Sequence, residues 1–204
     1  SARFGVNRHT VRRALKALQD AGAVHARRGA GVFVTGAHLS YRLGRRTRFS
    51  QNLAEMGLKG SREYLRMETV PASRDEARAL KLEPGALVHV MEGVSFADDV
   101  PICHASGVFP AGPLPDFLKA LRGTDSVTAA LSVCGVADYR RLSTRLVAER
   151  AEGVTARHLR LPDGAPILRA IGINVDAEGV PVEFGTSRFA ADRVELLVEE
   201  GGFA

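Results

Sequence analysis

Cysteine is scarce in this 204-residue chain, with only Cys103 and Cys134. Two cannot build a disulfide framework or a structural zinc site. No apolar run approaches the roughly 18 residues that a membrane span requires, and no signal-peptide pattern opens the chain. A cytoplasmic protein without a membrane partner is expected. The six histidines (His9, His25, His38, His89, His104, His158) are scattered without metal-ligand spacing. No Gly-rich loop opens a helix after a strand to cradle phosphate. Cys103 and His104 are neighbours, but adjacent side chains on a strand point to opposite faces and cannot act as a thiol–imidazole pair. These absences predict no catalytic residue, no metal site and no cofactor.

Acidic residues are nearly missing from one segment. Residues 1–50 carry eleven Lys or Arg against a single acid, Asp20, while the other 154 hold 17 basic and 22 acidic side chains. The net charge of +5 therefore conceals a basic arm on an acidic body, the pattern of a polyanion-binding segment attached to a part with another task. A hydrophobic fraction of 45% is that of a globular chain, and the length fits one large domain or two smaller ones.

The basic arm has a legible order. Asn7 suits a helix N-cap, and Val6 before it suits a staple onto Val11. Val11, Ala14, Leu15, Leu18 and Ala21 then recur at helical spacing, and Gly22 suits the left-handed residue past the end. The opposite face carries Arg8, His9, Arg12, Arg13 and Lys16. Val24-His25-Ala26-Arg27-Arg28-Gly29-Ala30-Gly31-Val32-Phe33-Val34 follows, two short β runs flanking a glycine-containing turn with paired arginines near its tip, which predicts a hairpin. A cationic helix followed by a basic hairpin is the end of a winged helix-turn-helix, with the helix in the major groove and the wing on phosphates or in the minor groove.

These residues resemble the GntR family of bacterial transcription regulators. The stretch Phe4-Gly5-Val6-Asn7-Arg8-His9-Thr10-Val11-Arg12-Arg13-Ala14-Leu15 is similar to its turn and recognition helix, and Arg27-Arg28-Gly29-Ala30-Gly31-Val32-Phe33-Val34 to its wing. The family's winged helix begins some tens of residues earlier, so residues 1–36 are expected to be the C-terminal part of a DNA-binding domain. The resemblance places DNA contacts at Asn7, Arg8, His9, Thr10, Arg12, Arg13, Arg27, Arg28 and Gly29.

Residues 37–48 read as a linker and 49–204 as a second domain. A short helix is expected at Phe49–Gly57. Strands are expected at Tyr64–Val70, Leu87–Phe96, Ile102–Phe109, Tyr139–Ala148, Ile167–Val175, Pro181–Phe189 and Val194–Val198. Helices are expected at Arg74–Leu80, Leu114–Leu121, Val127–Val133 and Ala151–Leu159. An internal echo relates Leu80-Lys81-Leu82-Glu83-Pro84-Gly85-Ala86 to Leu159-Arg160-Leu161-Pro162-Asp163-Gly164-Ala165. Each copy leads to a strand with a central glycine, Gly93 or Gly172, then to a Val-Pro turn and a second strand. Two related helix-plus-hairpin units predict one antiparallel sheet with an apolar face under helices, and a pocket where the halves meet.

This segment resembles the UTRA effector-binding domain of HutC-type GntR regulators, which implies an α+β, chorismate-lyase-like fold. Arg48-Phe49-Ser50-Gln51-Asn52-Leu53 and Arg140-Arg141-Leu142-Ser143-Thr144-Arg145 resemble stretches of PhnF-like regulators of phosphonate metabolism. Implied are a homodimer, a palindromic double-stranded operator, and a small anionic effector, a phosphonate or a related phosphorylated compound, that controls repression.

Candidate effector residues follow. Arg48, Phe49 and Ser50 open the short helix, where free N–H groups favour an anion; equally, Ser50 is only a cap and Arg48 part of the basic linker. Alternation places Arg141, Ser143 and Arg145 on one strand face, lining a pocket or facing solvent, with Leu142 and Leu146 toward the core. Glu183, in an apolar strand, suits an amino or hydroxyl group of a ligand, or else an ion pair with Arg188 or Arg169. The strand Val90–Phe96 carries Glu92 and Ser95 and lacks the arginines that phosphate-binding members of the family present there, which raises the prospect of a ligand with a cationic group. The competing expectation is a stand-alone small-molecule-binding or chorismate-lyase-like domain with a vestigial basic arm.

Overall fold

In the computed structural model the chain divides into two units, residues 1–38 and 39–204. All residues are described except 1–6, 21–23, 28–30, 35–37, 46–48, 56, 125 and 199–204.

The first unit contains helix α1 (Arg8–Asp20) and strands β1 (Val24–Arg27) and β2 (Gly31–Val34). Asn7 caps α1 as its sequence position predicts. Its Oδ1 accepts the His9 N–H at 3.0 Å, and its carbonyl accepts the Val11 N–H at 3.2 Å. The two strands form an antiparallel hairpin from Val24↔Val34 to Arg27↔Gly31. The expected Val6 staple and Gly22 cap lie outside the described residues.

The second unit opens with β3 (Leu39–Arg42) and α2 (Phe49–Glu55). Strand β3 falls in the stretch read as linker. Its ladder partner is remote in sequence: it pairs in parallel with β10 (Val194–Leu197), and buried Tyr41 packs on Phe189 at 4.9 Å. No local pattern signals a strand whose partner is so far along the chain.

The first half then runs β4 (Gly60–Pro71), α3 (Arg74–Leu80), β5 (Leu87–Ala97) and β6 (Val100–Pro110). Helices α4 (Phe117–Thr124) and α5 (Val127–Val133) follow, and the second half repeats the order as β7 (Arg140–Arg150), α6 (Gly153–His158), β8 (Pro166–Val175) and β9 (Pro181–Ala190). The six long strands form one antiparallel sheet in the order β4-β5-β6-β9-β8-β7, with the halves joined through β6 and β9. The internal echo is thus a structural duplication. Its two copies even share backbone strain: Lys81 and Arg160 have φ of 54° and 51°, and Gly85 and Gly164 have φ of 79° and 78°.

Each sheet face buries apolar groups under different elements. On one, Val88, Val90 and Val108 pack with Leu80 of α3, and Ile167 and Ala190 with Leu159 and Ala156 at α6. On the other, Met91 and Phe109 pack with Phe117, Leu121 and Leu131 of α4 and α5. That second face also carries a separate cluster in which Cys103, Ala170 and Phe189 meet Tyr41, Leu53 and Val194. Each fully buried large side chain contributes about 1.5–3 kcal/mol. The two clusters leave a gap between them, and the gap holds the site.

Candidate functional site

The register places three glycines side by side across the centre of the sheet. Gly107 of β6 pairs with Gly185 of β9, which pairs with Gly172 of β8. Directly opposed residues share a face, so this row lies on the same face as Ala105, Ser187 and Ala170, which line a cavity of about 190 Å³. Gly185 lines the cavity directly, while the Phe109 ring lies over Gly107 and the Arg141 guanidinium over Gly172. Space of that size suits a small polar molecule, since a water occupies about 30 Å³.

Two arginines reach the cavity from opposite halves of the sheet. Arg141 stands on β7 opposite Asn174, and its guanidinium occupies the position a side chain at Gly172 would take. A Cβ built there would lie 2.7 Å from Arg141 Cζ. Arg141 Nε is buried without a hydrogen-bond partner, and among the described residues no carboxylate pairs with this guanidinium. A buried unpaired N–H costs about 1–3 kcal/mol, so the arrangement is set for an acceptor from outside the chain. Arg62 stands on β4 opposite Ser95; its Nε donates to Ser95 Oγ at 3.1 Å and its guanidinium lies 5.4 Å from the Phe49 ring centre. The 79-residue offset that relates Leu80 to Leu159 also relates Arg62 to Arg141 and Ser95 to Asn174. The two cations are equivalent residues of the duplicated halves.

Opposite charge comes from Glu183. Asn174 Nδ2 donates to its Oε2, while Oε1 lies 3.4 Å and 3.3 Å from the Cβ positions of Gly107 and Gly185. The ion pairs with Arg188 or Arg169 anticipated for Glu183 are not made. Both arginines lie on the other sheet face by register, and Arg169 pairs with Glu149 at 2.6 Å. Neutral hydroxyls complete the wall: Tyr139 OH and Thr128 Oγ1 are 2.8 Å apart. Burial raises the Tyr41 hydroxyl well above its ordinary range and pushes the nearby Cys103 thiol up to about 12, so neither adds negative charge.

Alternation misplaced part of the expected site. A β-bulge after Arg141 shifts the register before Ser143, and one extra residue flips every later side chain to the other face. Ser143 and Arg145 oppose Ile173 and Ile171 away from the cavity and are exposed, and Leu142 and Leu146, expected in the core, are 52% and 46% exposed. Glu92 also faces away, next to cavity-facing Gly93, and its Oε1 meets His104 Nε2 at 2.8 Å. Ser95 faces inward but serves Arg62. Phe49 lines the cavity. Helix α2 begins at Phe49, so Ser50 falls inside it rather than before it; Arg48 lies outside the described residues. Arg62, Tyr41, Thr128, Tyr139, Asn174 and Ser187 were not anticipated. The internal offset applied to Arg141 would have found Arg62.

In the first unit, Asn7, His9, Thr10, Arg12, Arg13 and Lys16 are all exposed, whereas Val11 and Leu15 are half-buried. The polar face of α1 is therefore available along its length. Arg28 and Gly29 lie outside the described residues. Among the described residues, no helix is long and apolar enough to cross a membrane, and no cluster of His, Cys, Asp or Glu could hold a metal ion.

A cationic helix followed by a hairpin, on a chain that also folds a polar, sheet-floored cavity, defines a DNA-binding regulator with a small-molecule domain. Residues 1–34 match the bacterial regulatory proteins of the gntR family and residues 55–195 match the UTRA domain. The chain belongs to the gntR family and is a transcriptional regulator with a UTRA effector domain, PhnF-like in character. It is 40% identical to "Uncharacterized HTH-type transcriptional regulator RB1450" of Rhizobium meliloti (strain 1021), over 98% of this chain and 82% of that protein. It is 33% identical to "Probable transcriptional regulator PhnF" of Escherichia coli (strain K12), over 98% and 83%. The crystal structure of PhnF from Mycobacterium smegmatis shares the fold, with a TM-score of 0.72 and 23% identity over 98% of this chain and 87% of that one. These relatives are regulators and not enzymes, which removes the lyase reading. Regulators of this family bind DNA operators and, through the UTRA domain, small effectors.

Proposed function

We propose that the chain is a cytoplasmic, homodimeric repressor whose grip on a palindromic operator is controlled by a small anion, a phosphonate or related phosphorylated compound, bound in the UTRA cavity. The observation that carries this reading is the guanidinium of Arg141, laid over Gly172 with a buried, unpartnered Nε, and matched by Arg62 from the other half. A phosphonate offers several oxygens to two forked donors, which rewards arginine over lysine. The donors that the Val90–Phe96 strand lacks come instead from its neighbour β4.

On the DNA side, Asn7, Arg8, His9 and Thr10 open α1 and Arg12 and Arg13 continue its exposed face. These residues take phosphates and base edges, with Arg27, Arg28 and Gly29 of the hairpin on the backbone. Two such helices in a dimer read half-sites about 10 bp apart or a multiple of it. An effector preference of about 1–3 kcal/mol for the released state is enough to empty the operator several-fold or more.

Thermal unfolding against phosphate, sulfate, methylphosphonate, urocanate and a fatty acid tests the effector class. A bound ligand at 100 times its Kd stabilises by about 2.7 kcal/mol. The expected result is a shift with the phosphorus anions that is lost in Arg141→Ala, together with weaker operator binding when the same anion is present. A shift confined to urocanate or lipid, or one that survives loss of both Arg62 and Arg141, overturns the reading.

A further inference from the structure

We propose that the ligand of this cavity is a zwitterion, with its anionic end on Arg141 and Arg62 and an ammonium group on the free oxygen of Glu183. The proposal rests on the anion-binding reading above and adds the second charge. Its basis is the placement of Glu183 beside the glycine row. Among the described residues, no cationic side chain pairs with Glu183. Arg188 and Arg169 are on the other face of the sheet, Arg169 is taken by Glu149, and no ion pair joins Glu183 to Arg141. Asn174 holds Oε2 by a hydrogen bond, which fixes the carboxylate. Oε1 lies beside the Phe109 ring and over Gly185, which has no side chain to cover it, and Glu183 lines the cavity. A carboxylate turned toward a bound dianion repels it, and a site meant for a simple phosphate gains nothing from one. An ammonium on the ligand turns that repulsion into a charge-assisted hydrogen bond and discriminates against plain anions.

The register also sets the scale of the ligand. Gly172, beneath Arg141, and Gly185, beside Glu183, are direct register partners, and the Cβ positions of such a pair are about 4.5–5.5 Å apart. The cation and the carboxylate thus stand over neighbouring strands of one small cavity, which makes a short ω-aminoalkylphosphonate the probe of matching scale.

Isothermal titration of the full chain with three probes of the same anion decides the matter: 2-aminoethylphosphonate, 2-hydroxyethylphosphonate and ethylphosphonate. The expected order puts the amine at least roughly tenfold tighter than either of the others, the scale of one charge-assisted hydrogen bond. In Glu183→Gln the three affinities should converge, with ethylphosphonate unchanged or tighter. The comparison among ligands on the unmodified chain stands even if that variant folds poorly. Equal binding of ethylphosphonate or 2-hydroxyethylphosphonate overturns the zwitterion while leaving the anion site intact. A gap that persists in folded Glu183→Gln overturns the assignment to Glu183. Failure of all three to bind overturns the anion reading and this proposal with it.

Discussion

Gly172→Ala separates a binding role for Arg141 from a structural one. A Cβ at this position would overlap Arg141 Nη1 and lie 2.7 Å from Cζ, so the guanidinium must leave the floor. What it meets is the far end of a flexible side chain rather than backbone, and Gly172 does not use the positive φ that only glycine tolerates. The fold therefore accommodates the methyl group at little cost. Alanine gains about 0.5–1 kcal/mol over glycine within a strand, which offsets the rearrangement, so the unfolding midpoint should stay within about 2–4 °C of the parent. Binding should change far more. Losing a hydrogen bond to a charged group costs about 1.5–3 kcal/mol, which corresponds to a methylphosphonate affinity weaker by roughly 10- to 150-fold. Titration calorimetry on Gly172→Ala, Arg141→Ala and the double variant provides the assay. The double variant should bind no worse than Arg141→Ala, because both changes remove one interaction. Parental affinity in Gly172→Ala would refute the argument, as would a collapse of the unfolding midpoint alongside the loss of binding.

Three further outcomes are expected. Ser95→Ala removes the partner of Arg62 Nε and should weaken anion binding by roughly threefold to tenfold through lost positioning, less than Arg62→Gln does; an effect as large as that of Arg62→Gln counts against a positioning role. Arg12→Ala and Arg13→Ala should each weaken operator binding and lower the slope of log affinity against log salt by about 0.9 for each phosphate no longer neutralised; an unchanged slope and affinity place these side chains off the DNA. Burial holds the His104 imidazole below its ordinary value of 6.5, with Glu92 opposing the shift and His158 and Arg188 adding to it. The unfolded chain therefore takes up this proton first as the pH falls, and stability should decline below about pH 6.5. The decline should be shallower in His104→Gln, and parallel unfolding curves for the two proteins exclude the contribution.

Much of the architecture was legible because it rests on short-range signals. Helices α3 and α5 occupy the residues their periodicity predicts, and six long strands lie where β-rich runs alternate with turn residues. The internal echo correctly implied one sheet from two related halves. The site was less legible, since its residues converge through strand register. Strand β4 begins at Gly60 rather than Tyr64, and that difference of four residues hid Arg62. One bulged residue in β7 was enough to carry Ser143 and Arg145 to the face opposite Arg141. Hydrophobic alternation cannot signal such an insertion, because β7 is an edge strand with exposed Leu142 and Leu146.

The sequence by itself determined the charge asymmetry, the capped basic helix, the hairpin and the duplicated half, since each depends on residues close together in the chain. Only the tertiary structure decided that Gly107, Gly185 and Gly172 form one row, that Arg62 and Arg141 reach one cavity from opposite halves of the sheet, and that no described residue gives Glu183 a cationic partner. Those relations depend on which residues of distant strands come to lie opposite one another, and a shift of a single position in any strand would have given a different site.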